Sequence, residues 1–257
     1  SNMRPPFLYR VFYETSATLS SYVSKHTHVK HREQPKLKLR EGNAFQAISK
    51  FSAARDLTRV RMERHLRWQQ KRDPSSYISA FNCIRYAVRR AEFHSNHSQR
   101  IGQRISVAKI STSGLIAATV RGTLEETVLT TWKDSLLGKT ESVTVTTRDV
   151  QIPAWVHESA IPDDAAAISV EQLATSGAVM WLSITELRLS NLKVPATKGH
   201  DYEWLACGAI PKSNIIRIMP FDGTTLHQEQ GPKVVRSLRS REPWVFDWQQ
   251  QMWILRA

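Results

Sequence analysis

Residues 200–219, HDYEWLACGAIPKSNIIRIM, constrain the fold more than any other part of the chain. Residues 202–209 form an aromatic and apolar run long enough for one β-strand, and it opens on two carboxylates at alternate positions, Asp201 and Glu203. A period of two puts both acids on the face that Leu205 and Cys207 continue. Those two residues require burial, so the acids belong at the strand's mouth, where a buried face meets a cleft. Gly208 and Pro211 break the strand, and the apolar run 215–219 follows closely enough to lie beside it. Two surface acids ahead of an ordinary hairpin would give the same pattern, and the rest of the chain has to decide between the two.

At 257 residues, 41% hydrophobic and 23% charged, the chain has the make-up of a soluble globular protein with a substantial core, read here as a single domain over 1–257. No apolar run reaches the roughly 18 residues that a membrane helix needs, so no membrane span is expected. The N-terminus lacks the charged-then-apolar order of a secretory signal, and Ser1-Asn2 ahead of Met3 reads as a cloning remnant. The expectation is a cytoplasmic or nuclear protein if that N-terminus is native. Cys83 and Cys207 both fall in apolar segments, which predicts buried thiols or at most one bridge. His26, His28 and His31 cluster in a Lys-rich stretch with Glu33 as the only nearby acid, so no metal site is expected.

Charge is unevenly distributed. Residues 1–104 hold 21 Lys and Arg against 7 Asp and Glu, whereas the chain as a whole carries +13, so all the excess lies in its first two-fifths. Such asymmetry points to an acidic partner, whether nucleic acid, an anionic protein surface or a phosphate-bearing ligand; a solvated basic face is the plain alternative.

The run 7–13, FLYRVFY, reads as a strand with Arg10 in its middle. A guanidinium there is costly unless an anion meets it, either a nearby carboxylate or a ligand phosphate held by two parallel hydrogen bonds. Residues 14–44 are polar and basic and read as a long loop or insertion. Ser52 is placed to cap a helix running to about Gln70. A short strand ending in Tyr77-Ile78-Ser79-Ala80-Phe81 precedes Asn82, which is placed to cap a helix to about Phe93. Residues 105–110 form another strand, followed by Ser111-Thr112-Ser113. Beyond it come a helix-like stretch over 124–137, an alternating strand over 142–152, a short helix near 170–174 and an apolar run over 179–189. Residues 224–257 form a C-terminal extension in which Trp244, Phe246, Trp248 and Trp253 make an edge strand or helix covering the core.

Three of these segments resemble the ADP-ribosyltransferases of the Arg-Ser-Glu type, the cholera-toxin-like group. Leu8-Tyr9-Arg10 has the form of their apolar-Tyr-Arg strand, and Tyr77-Ile78-Ser79 that of aromatic-x-Ser. Asp201-Tyr202-Glu203, followed by Gly208 and Ile210-Pro211, resembles their acid-x-Glu segment. Ala80 and Phe81 stand where the group carries Thr and Ser hydroxyls that help hold the catalytic Glu. Ser111 is the alternative motif serine.

The resemblance implies an α+β fold of two packed, mostly antiparallel sheets with flanking helices and NAD+ in the cleft between them. Glu203 would stabilise an oxocarbenium-like ribose, Asp201 would engage the acceptor, and Arg10, Ser79, Tyr77 and His65 would bind the dinucleotide. The implied activity is mono-ADP-ribosyl transfer from NAD+, with nicotinamide release, to a protein or nucleic-acid acceptor. NAD+ hydrolysis, or a catalytically inactive basic binding module on the same fold, are the alternatives.

Overall fold

The apolar runs are gathered mainly into one nine-stranded sheet. The computed structural model describes residues 3–14, 16–23, 27–28, 37–67, 74–97, 104–134, 138–161, 168–169, 172–173, 179–194 and 200–256. In chain order the elements are β1 (Phe7–Phe12), β2 (Thr18–Ser20), β3 (Thr27–His28), β4 (Leu37–Lys38), β5 (Asn43–Ala47), α1 (Ala53–Asp56), α2 (Arg59–Leu66), β6 (Tyr77–Phe81), α3 (Ile84–His97) and β7 (Ile105–Ser111). They continue with β8 (Leu115–Asp134), β9 (Gly138–His157), β10 (Ile168–Ser169), β11 (Trp181–Ser183), α4 (Ile184–Leu189), β12 (Glu203–Cys207), β13 (Ala209–Pro211), β14 (Ile215–Phe221), β15 (Trp244–Asp247) and β16 (Met252–Leu255).

The large sheet runs β10-β8-β9-β11-β12-β6-β1-β7-β14, and a small sheet runs β13-β5-β2. Among the described residues, β10–β8 is the one parallel pair of this sheet. The class is therefore α+β and strand-rich, with helices packed on sheets. Alternation along β1 sorts the core. Leu8 and Phe12 face the small sheet, where Phe12 meets Phe45 with ring centroids 4.9 Å apart. Tyr9, Val11 and Tyr13 face the layer that α3 covers. A third cluster lies under α1, α2 and α4, against β8, β9 and the Leu205–Cys207 side of β12.

Several local expectations are corrected. β14 does not lie beside β12: it pairs with β7, and three strands separate the two in the sheet. The cause is Gly208, whose φ of +88° swings the chain out of the large sheet so that β13 can pair with β5. A Cβ there would also sit 3.2 Å from Phe51 Cβ. The stretch read as helix-like over 124–137 is strand as far as Asp134. It pairs with β9 from Leu115–His157 to Asp134–Gly138, and Thr123, Thr127, Val128, Thr130 and Thr131 favour extended backbone; residues 135–137 lie outside the described residues. The helix expected from Ser52 is two, because the Ser52 N–H donates to the Asp56 carboxylate while Thr58 caps a new start by accepting from the Arg61 N–H.

Residues 14–44 are not all loop, since they contain β2, the β3–β4 pair and the start of β5; residues 15, 24–26 and 29–36 lie outside the described residues. Of the helix expected near 170–174, only residues 172–173 are described, and they are helical. The tail is a β15–β16 hairpin that covers the core. Trp253 is buried and its indole N–H reaches the Ile105 carbonyl at 3.2 Å and the Ser106 hydroxyl at 3.1 Å. Cys83 and Cys207 are free thiols. Among the described residues no helix is long and apolar enough to cross a membrane.

Candidate functional site

The large sheet opens where β1 meets β6. β1 is registered with β7 over Phe7 to Phe12, and β6 with β12 over Tyr77 to Phe81, but β1 and β6 share only the Tyr9–Phe81 pair. Backbone groups beyond that pair need other partners. Arg10 supplies one: it donates to the Ser79 carbonyl at 2.8 Å and, from its other terminal nitrogen, to the Thr18 hydroxyl at 3.1 Å. Burial lowers the Arg10 pKa to about 10, with Tyr13 and Glu203 pulling it back up, so the guanidinium stays charged at neutral pH. Its Nε is buried and makes no hydrogen bond among the described residues.

Glu203 begins β12 opposite Phe81 and is only 4% exposed. Its Oε2 lies 2.5 Å from His200 Nδ1. Burial pushes the carboxyl up, but the bond from His200, the proximity of His65 and the nearby Ser79 hydroxyl outweigh it and hold the group below the usual carboxylate range. The site thus keeps a buried, ionised carboxylate.

α2 delivers His65, whose Nε2 lies 2.7 Å from the Ser79 hydroxyl and whose Nδ1 lies 2.7 Å from the Ser75 hydroxyl. Burial lowers its pKa to about 4, against the opposing pull of Glu203, so the ring is neutral. The ring therefore bridges the Ser75 and Ser79 hydroxyls. α3 closes the other side with Arg90 and His94. Burial lowers both, His94 to about 4, and the His94 ring packs 4.8 Å from Tyr13.

The structure brings Arg10, Ser79, His65 and Glu203 together although they are far apart in the chain. Ser111 is elsewhere: it ends β7, with β6 and β1 between that strand and β12. Two expected residues take different places. Tyr77 is 2% exposed and its hydroxyl binds the Asp56 carbonyl, so it supports His65 edge-on at 5.7 Å instead of lining the gap. Asp201 precedes the strand in a turn, where the alternation does not reach; it is exposed and pairs with Arg188 at 2.7 Å. Tyr202, between the two acids, stacks on Tyr86 of α3 at 3.9 Å.

Sequence reasoning missed His200, Arg90 and His94. The helical spacing of Arg90 and His94, on the side of the buried Ala87 and Ala91, was a legible signal, whereas His200 is found only once the turn before Glu203 is known.

A buried carboxylate held by His200 beside a His65–Ser79 pair, facing an arginine across a split antiparallel sheet, defines an α+β protein with a preorganised polar site. The chain belongs to the DUF7587 family, a domain of unknown function whose model matches residues 3–224. No curated protein and no solved structure matches the chain. The matched span contains every site residue named above and stops before the β15–β16 hairpin.

Proposed function

We propose that this chain cleaves NAD+ at the bond between nicotinamide and ribose and passes the ADP-ribosyl group to an acceptor, as a mono-ADP-ribosyltransferase of the Arg-Ser-Glu type. The observation that carries the reading is the Glu203 carboxylate, buried yet ionised and fixed by His200 beside the β1–β6 gap. Cleaving that bond builds positive charge on the ribose, and a fixed anion in a water-poor site stabilises the change without reorganising. Arg10 and Arg90 supply the positive charge that a diphosphate requires, and neutral His65 can hydrogen-bond without repelling the developing cation. Where the ADP-ribosyltransferases carry the hydroxyls that Ala80 and Phe81 lack, His200 holds the carboxylate instead.

The test is nicotinamide release from NAD+ by the purified protein. Glu203→Gln keeps the shape of the side chain and removes its charge, so the rate should fall about 100- to 1,000-fold while NAD+ still binds. A Glu203→Gln protein as fast as wild type would show that the carboxylate is not the catalytic group.

A further inference from the structure

We propose that His200 is the general base that activates the acceptor, and that the acceptor is a neutral hydroxyl, water included, instead of a cationic side chain. This inference rests on the NAD+-cleaving reading above. His200 Nδ1 faces Glu203 Oε2 at 2.5 Å, and an ionised carboxylate can only accept, so Nδ1 carries a hydrogen. In the neutral ring the lone pair is then on Nε2, for which no partner occurs among the described residues. The side chain is 17% exposed against 4% for Glu203, so the ring spans from the buried carboxylate to the mouth of the gap.

Asp201, where the resemblance would put the acceptor-engaging acid, is committed to Arg188. The groups around the Glu203–His200 pair are His65 of α2, Arg90 of α3 and Arg10 of β1, so the gap disfavours a cationic acceptor. In the step itself, the electron pair of the ribose C1′–N bond leaves with neutral nicotinamide. The acceptor oxygen bonds to C1′, and its proton passes to His200 Nε2 and then to solvent. Glu203 stays ionised throughout, which lets one carboxylate stabilise the ribose cation and orient the base.

The experiment compares wild type with His200→Asn, whose amide nitrogen keeps the donor to Glu203 but offers no titrating base. Nicotinamide release is followed against pH in water and in added methanol, with NAD+ affinity measured alongside. His200→Asn should bind NAD+ as wild type does, lose at least roughly 100-fold in rate, and lose the ascending limb that a general base gives a pH–rate profile. Methanol should yield the methyl ADP-riboside with wild type.

A His200→Asn protein with the wild-type rate and profile would reduce His200 to a clamp and overturn the proposal while the NAD+ reading stands. Turnover only with free arginine, and none with water or methanol, would overturn the acceptor assignment. Should His200→Asn also lose NAD+ binding, a wild-type profile without an ascending limb overturns it. Wild type that releases no nicotinamide with any acceptor removes both readings.

Discussion

His65 and His94 are buried without a formal charge, and that has a cost at low pH. Unfolded, each imidazole takes up a proton as pH falls through about 6.5; folded, burial delays the uptake to about 4. Between these values the unfolded chain binds more protons, so stability is lost as pH falls through that window. Glu203 acts in the same sense at lower pH, because its folded pKa is depressed and its contribution disappears as pH drops through that value. Denaturant midpoints measured from pH 7 to pH 4 should therefore decline, with a slope approaching about two protons near pH 5. His65→Asn should remove roughly one of them. A flat profile would mean that the two rings reach water or a carboxylate in the native state. Both histidines are needed inside for geometric reasons: His65 orders Ser79, and His94 fills the space between α3 and Tyr13.

At the scale of elements, strands were legible and their partners were not. Aromatic and β-branched runs located β1, β6, β7, β12 and β14 nearly to the residue, because a pleated, buried surface selects those side chains locally. Pairing is decided by distant contacts. β14 was expected beside β12, and only the turn at Gly208, with β5 waiting to receive β13, sends it to the far edge. The same limit hid the gap between β1 and β6, which is where Arg10 meets Ser79 and no single segment contains both. Arg10, Ser79 and Glu203 were readable because each is tied to a strand of distinct composition, whereas His200 is defined by what lies across from it. The β15–β16 hairpin lies beyond the family match yet is built into the fold through Trp253, Phe246 and Arg104, whose guanidinium sits 4.0 Å from the Trp244 ring centre. Trp253→Ala removes a buried indole and two hydrogen bonds to β7, and should cost about 3–5 kcal/mol in chemical unfolding. A loss under about 1 kcal/mol would make the hairpin an appendage and not part of the core.

For the whole molecule, charge is the property that no single element explains. Residues 1–104 carry +14 against a net +13 for the whole chain, and the structure divides those cations into two populations. Some are already engaged: Arg10 and Arg90 are drawn into the gap around Glu203, and the exposed Arg55, Arg59 and Arg67 are paired with Asp56 or Glu63. Others, such as Arg85 and Arg89 of α3, are exposed, and Arg89 lies 5.4 Å from the Tyr86 ring, beside the Tyr86–Tyr202 stack. An uncompensated surface of this sign attracts polyanions without regard to sequence, and each phosphate contact releases a counterion. A labelled single-stranded oligonucleotide should therefore bind at about 50 mM salt and be largely released at about 200 mM. Replacing Arg85 and Arg89 together by Glu should weaken that binding and flatten its salt dependence, since those two side chains supply part of the released counterions. Nicotinamide release with water as acceptor should be unchanged in the same variant, because neither residue reaches the Glu203 carboxylate. Binding that persists at about 200 mM salt with its slope intact would place the polyanion contact elsewhere on the basic half of the chain.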